Sequence, residues 1–362
     1  MREFIDKLSN YNGGTVIVLN IVDFKMYQLV HGMQAGNRLI NRVLTVLKRQ
    51  YGIAEFSGSF YVYDGGDNWL EYLRETLESL PAMQTGTAMA TGDFEDAILR
   101  AEYAMRKSRP GVILEYSDAM KREVINQHYI LTHLEDALHG NDIQMFLQPV
   151  VDASNGQLTS AEALARWQKG NTFLPPSSFI PFLEDRCLVY KIDQKIAKDA
   201  ANFIDQTGIP VSINISRTDF DVSNPVEWVD ELHADSSKLI IEITESAVLE
   251  NREIVTSAVQ QFRNKGYKVW MDDFGSGYSN LSELSSFNFD RIKIDMSFMK
   301  NFNEDFLTAL YKMTAKLNIA TLQEGVETPK QATFLKYAGC GEIQGYLYDK
   351  PLAASDFVKK WC

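Results

Sequence analysis

Along the first third of the chain, β-branched runs alternate with stretches in which apolar residues return every three or four positions. Residues 15–21 (TVIVLNI) are continuous and apolar, as a buried strand would be, and 35–48 (AGNRLINRVLTVLK) carry apolar residues at helical spacing. A second strand is predicted at 59–63, a helix at 69–80, and another at 94–107, where Ala97, Leu99, Ala101 and Ala104 fall largely on one side. These elements predict a small α/β domain over residues 1–116. Residues 117–138 read as a connecting helix, with Ser117 as its N-cap and Met120, Val124, Ile125, Leu131, Leu134 and Leu138 as its apolar seam.

From 139 to 362 the pattern changes to a short apolar run, then polar residues, then an amphipathic stretch, repeated as successive βα units would be. The runs fall at 143–151, 159–165, 211–215, 239–243, 268–271, 291–294, 319–322 and 342–347. Eight such runs predict a TIM-like (β/α)8 barrel, which takes about 250 residues. The 45% hydrophobic content supplies apolar surface for one large core and one small one.

Composition narrows the chemistry. A formal net charge of -12 argues against nucleic-acid polymers and anionic membranes, which need clustered Lys and Arg. No stretch approaches the roughly 20 apolar residues of a spanning helix, and the N-terminal MREFIDKLSN lacks the apolar run of a signal peptide, so a cytoplasmic protein is expected. Cys187, Cys340 and Cys362 show no C-x-x-C spacing and suggest neither a disulfide framework nor a zinc site.

In such barrels the active site lies at the C-terminal rim, so the residues where each run stops matter most. Here they are Glu162, Asn214, Glu242, the adjacent Asp272 and Asp273, and Glu324, with Lys293 and Gln344 completing the set. One carboxylate at a strand end is ordinary, but five around one axis repel unless a cation or protons intervene. No His or Cys joins them, and oxygen-only sites favour Mg2+ or Mn2+. Two ions roughly 3.5 to 4 Å apart would clamp the attacking and leaving oxygens of an in-line phosphoryl displacement. Lys293 either orients the attacking water or forms a salt bridge to a neighbouring Asp. After Asp273, the sequence Phe274-Gly275-Ser276-Gly277 predicts a tight mobile loop closing over the site, braced by Glu245.

These motifs carry a resemblance that runs through residues 130–362. Gln148-Pro149, Glu162-Ala163-Leu164 continuing to Arg166-Trp167, Asn214-Ile215-Ser216, Glu242-Ile243-Thr244-Glu245, Asp272-Asp273-Phe274-Gly275, Lys293-Ile294-Asp295, Glu324-Gly325-Val326-Glu327-Thr328 and Gln344-Gly345-Tyr346 resemble the EAL-type cyclic di-GMP phosphodiesterases of bacteria. The resemblance implies hydrolysis of cyclic di-GMP to linear pGpG. It implies one ion on Glu162, Asn214, Glu242 and Asp272, and a second served by Asp272, Asp273 and Glu324. Lys293 would position water, and Glu324 is both a ligand and a general-base candidate. Leu164, Arg166, Gln148 and Gln344 would contact substrate, Arg166 through a phosphate. Departures are few: Ser276 stands where Thr is usual, Gln323 replaces the common Ala, and the stretch between Lys293 and Glu324 is short. The alternative within the family is a receptor that binds cyclic di-GMP without cleaving it, and such receptors usually lack some metal ligands.

The N-terminal domain resembles a GGDEF-type diguanylate cyclase that has lost its function, which implies a ferredoxin-like or cyclase-like α/β fold. Phe24-Lys25, Gly32 and Gly36 are kept, and 96–107 follow its late helix. Asn20, Gln28, Leu29 and Asn37 stand at metal and nucleotide positions, and the signature is reduced to Phe56-Ser57-Gly58-Ser59-Phe60. GTP binding is not expected there; a regulatory role and a homodimer are.

Overall fold

The structure is a computed structural model and describes residues 2–8, 10–11, 13–47, 53–65, 69–76, 80–91, 93–275 and 288–362. The chain divides into two compact units, 1–126 and 127–362.

In the first unit, β1 (Gly14–Ile21), β2 (Ile53–Phe56), β3 (Ser59–Asp64), β4 (Met83–Ala90) and β5 (Ile113–Glu115) form one sheet in the order β2-β3-β1-β4-β5. The β2-β3-β1-β4 core is antiparallel, with helices between β1 and β2 and between β3 and β4, which is the ferredoxin-like arrangement. The pattern of β4 (MQTGTAMA) is too small and polar to mark a strand, and packing explains it. A Cβ on Gly86 would lie 2.1 Å from the backbone nitrogen of Met105, so the helix Phe94–Lys107 sits directly on the strand.

The helix Asp118–His139 starts as predicted, with Ser117 Oγ accepting from the Met120 N–H at 3.4 Å. Its buried face differs from the predicted seam. Ile130, Leu134 and Ala137 are buried at helical spacing, whereas Val124, Ile125 and Leu131 are exposed.

In the second unit, β6 (Ile143–Asp152), β7 (Leu158–Lys169), β9 (Val211–Ile215), β10 (Leu239–Thr244), β11 (Lys268–Phe274), β12 (Arg291–Ile294), β13 (Ala320–Gln323) and β14 (Glu342–Gln344) close into an eight-stranded barrel. Each of the eight predicted runs falls on one of these strands, although the run 319–322 starts one residue before β13 and the run 342–347 continues three residues past β14. Two short strands, β8 (Thr172–Leu174) beside β7 and β15 (Leu352–Ala353) beside β6, fall outside them. The barrel departs from eight repeated βα units at its start: β6 runs antiparallel to both β7 and β14. Only five residues, 153–157, join β6 to β7, and a connection that short permits only a hairpin. Asp152 Oδ1 closes the turn by accepting from Ser154 N–H at 2.8 Å and Asn155 N–H at 3.2 Å. The remaining neighbours are parallel, with amphipathic helices such as Tyr190–Thr207 and Arg252–Asn264 burying their apolar faces outside the strands.

Candidate active site

Successive strand residues point to opposite faces, so residues two apart stack in one column inside the barrel. Val150, Ile240, Trp270 and Leu322 meet there as a separate buried apolar cluster. One step up the same columns stand Glu242, Asp272 and Glu324, and on antiparallel β6 the column rises to Gln148, opposite Glu162. The carboxylates thus rest on a buried apolar plug.

Lys293 rises from β12 into the middle of this layer, with no exposed surface. Its Nζ lies 2.8 Å from Glu242, 2.9 Å from Glu324, 3.0 Å from Asp272 and 3.4 Å from Glu162. These are the distances of an ion-paired lysine. Gln344 Nε2 donates to Glu162 at 2.6 Å and to Gln148 Oε1 at 3.1 Å, and Asn214 Nδ2 donates to Glu162 at 3.4 Å.

Neighbouring residues in a regular strand cannot both face inward, yet Asp272 and Asp273 each place an oxygen within 4.8 Å of Glu324. The register explains it. Met271 pairs with Ile292 but Phe274 with Ile294, so β11 carries one extra residue, and Asp273 takes the left-handed conformation at φ 55. The bulge turns both carboxylates into the rim. Beyond it, Glu245 accepts the Gly275 N–H at 3.0 Å, the bracing contact expected of it. Gly275 sits at φ 92, where a Cβ would lie 2.3 Å from the Phe298 ring, and Phe274 is buried. Ser276 and Gly277 lie outside the described residues.

Burial and mutual repulsion govern the charge state. Burial pushes Glu324 up to about 8, against the pull of Lys293 and with the charges of Asp272 and Glu162 adding to the rise. Burial and the Asp272 charge push Asp273 up to about 6, and burial holds Glu242 well above the ordinary carboxylate range. Burial also opposes the Lys293 charge, but Asp272, Glu162, Glu242 and Glu324 outweigh it and keep the ammonium well above the usual lysine range. Cation binding would require the rim carboxyls to release their protons, and five ionised carboxylates (Glu162, Glu242, Asp272, Asp273, Glu324) less one ammonium would then carry four negative charges, matching two divalent cations. Glu162, Glu242 and Asp272 form one group of converging oxygens and Asp272, Asp273 and Glu324 another. Glu242 Oε1 and Gln344 Oε1 are buried with no partner among the described residues. A hard-cation site fits these donors.

Two clefts flank the rim. One, of about 270 Å3, is lined by Leu164, Arg166, Asn214, Ser216, Asp272 and Asp273; the other, of about 230 Å3, by Gln148, Glu162, Leu164, Glu324, Gln344 and Tyr346. Leu164 borders both. Burial lowers Arg166 somewhat, and its guanidinium lies 5.7 Å from the Phe146 ring centre. The sequence reading missed Asp193 and Glu184, which line the first cleft. Burial pushes both up, aided by the charge of Asp219 for the former and Asp185 for the latter. It also missed the apolar plug, although the signal was there: plug residues sit two positions from a rim residue on four strands.

The fold and this rim define a class, and comparison with known proteins agrees: residues 132–351 match the EAL domain family, to which the chain belongs. Cyclic di-GMP phosphodiesterase PdeR of Escherichia coli (strain K12) is 28% identical over an alignment covering all of this chain and 61% of PdeR. The chain spans about half to three-fifths of the length of the first curated relatives it matches. Among solved structures, the PaMucR phosphodiesterase in complex with c-di-GMP is 28% identical, with a TM-score of 0.59 over 63% of this chain and 99% of that one. The LapD S helix-GGDEF-EAL fragment of Vibrio cholerae, bound to c-di-GMP, shares the fold over 96% of this chain and 93% of its own, with a TM-score of 0.61 at 18% identity. Among the described residues, no helix is long and apolar enough to cross a membrane.

Proposed function

We propose that this chain hydrolyses cyclic di-GMP to linear pGpG with two divalent cations, Mg2+ or Mn2+. The observation that carries this reading is the complete oxygen-donor rim, five carboxylates converging around one ammonium. Glu162, Asn214, Glu242 and Asp272 would hold one ion, and Asp272, Asp273 and Glu324 the other. When bound, such ions lower the pKa of water and offset the charge of the phosphodiester. Arg166 binds a phosphate oxygen through its planar fork, and Gln148 and Gln344 orient the ligand from the opposite cleft. The two clefts, which flank the carboxylates and share Leu164 as a wall, suit a two-lobed ligand whose phosphodiester crosses the rim. Glu324 takes the proton of the attacking water, Lys293 orients that water and offsets developing charge, and Glu245 holds the loop at Gly275. As the phosphorus-oxygen bond to water forms, the bond to the leaving ribose oxygen breaks, and that oxygen takes a proton from solvent, to which Glu324 returns the one it accepted.

The N-terminal unit fits a degenerate cyclase-like domain with a regulatory or dimerising role. Asn20 accepts from Ser59 Oγ at 3.1 Å, and the Gln28 side chain packs where a Cβ on Gly36 would stand, so neither position offers a carboxylate to a metal nucleotide. Purified chain incubated with cyclic di-GMP and either metal should yield pGpG by chromatography, and Glu162→Gln should abolish it. Tight binding without product from folded wild type would replace this reading with a receptor.

A further inference from the structure

Behind the rim, on the face of β13 that meets the outer helices, lies a buried polar side chain where an apolar one would pack at less cost. Gln323 has no exposed surface. Its Oε1 accepts from the Tyr311 hydroxyl at 2.7 Å, and Tyr311, on the helix Glu304–Lys316, is itself buried. Its Nε2 donates toward three carbonyls: Glu324 at 2.9 Å, Ile294 at 3.1 Å and Asp295 at 3.4 Å. Three acceptors on one side and a hydroxyl on the other leave the amide one orientation, since a flipped oxygen would face carbonyls.

The placement matters because the ladder ends here. β13 pairs with β14 only through Leu322 and Gln323, after which Glu324 N–H reaches Ile294 O at 3.1 Å and the chain turns at Gly325, φ 68. The Glu324 carbonyl finds its donor in the Gln323 side chain. The same amide holds the end of β12 immediately after Lys293, so one group ties together the two strand ends whose side chains meet at 2.9 Å in the rim.

We propose that Gln323, its amide fixed by Tyr311, is a positioning residue that sets Glu324 and Lys293 relative to each other. The proposal rests on the reading of the rim as a metal site, and groups in this outer position typically alter metal affinity or activity 10–100-fold. The test uses the full chain and three variants: Gln323→Leu, of similar size, Tyr311→Phe, and their combination. Mn2+ affinity by calorimetry is read beside kcat and KM for cyclic di-GMP. We expect Gln323→Leu to weaken Mn2+ binding by about 10–100-fold and to lower kcat with KM nearly unchanged. Tyr311→Phe should weaken Mn2+ binding in the wild-type background and add nothing to Gln323→Leu. Val259→Ala, a buried change on the helix Arg252–Asn264, controls for lost stability. Unchanged Mn2+ affinity in Gln323→Leu, additive effects of the two changes, or an equal loss in Val259→Ala at matched Tm would overturn the positioning role alone. Wild type that binds no Mn2+ would overturn the metal-site reading and this proposal together.

Discussion

Replacing Lys293 with methionine keeps most of the side-chain volume and removes the positive charge that contacts Glu162, Glu242, Asp272 and Glu324. Lys293 and Glu242 have no exposed side-chain surface, so solvent cannot take over the lysine's role. Breaking one buried ion pair by removing a partner costs about 3–5 kcal/mol, and with four carboxylates left facing one another the upper end is expected. For a unit of this size, each kcal/mol shifts Tm by about 2–4 °C, so the metal-free variant should melt roughly 6–20 °C below wild type. Mn2+ at 100 times its Kd returns about 2.7 kcal/mol per site, and a site that has lost its competing ammonium should gain more from the ion than wild type does. The assay is thermal unfolding by circular dichroism at pH 7.5, in EDTA and in a Mn2+ series. A variant that melts within about 2 °C of wild type in EDTA, less than 1 kcal/mol, or a gap that Mn2+ fails to narrow, would refute the reasoning.

Other outcomes follow from the same geometry. Glu324 and Asp273 hold protons in the metal-free fold up to about 8 and about 6, whereas the unfolded chain releases them near pH 4. The unfolded state therefore binds fewer protons across that window, and metal-free stability should fall as pH rises from about 4.5 to 8. Glu324→Gln removes its share, so in EDTA it should melt above wild type at pH 8 and converge with it at pH 4.5; equal pH slopes in melting scans would contradict this. Trp270→Ala opens the plug beneath the carboxylates and should cost about 3–5 kcal/mol in denaturant titrations; a loss below 1 kcal/mol would mean the barrel interior refills. Gly275→Ala forces a side chain into a left-handed conformation and against Phe298, so kcat should drop several-fold while calorimetry finds Mn2+ affinity little changed.

Linear pattern was enough for the count of barrel strands and for the rim residues, because a buried parallel strand is an unbroken apolar run and its functional residue stands where the run stops. It was also enough to bring Glu162, Asn214, Glu242, Asp272 and Glu324 to one end of the barrel, since parallel strands share a C-terminal face. The antiparallel β6 was legible as well, since only seven residues separate the runs 143–151 and 159–165, too few for a crossover between parallel strands. Tertiary structure alone decided two things. The shared direction of Asp272 and Asp273 depends on a one-residue bulge, and period-two alternation would have separated them. Burial decided that Lys293 is enclosed among carboxylates and that Gln323 is sealed behind the rim: a lysine or glutamine in a strand carries no mark of the depth at which it lies. Its partners come from strands and helices far away in the chain, and only packing sets the distances among them.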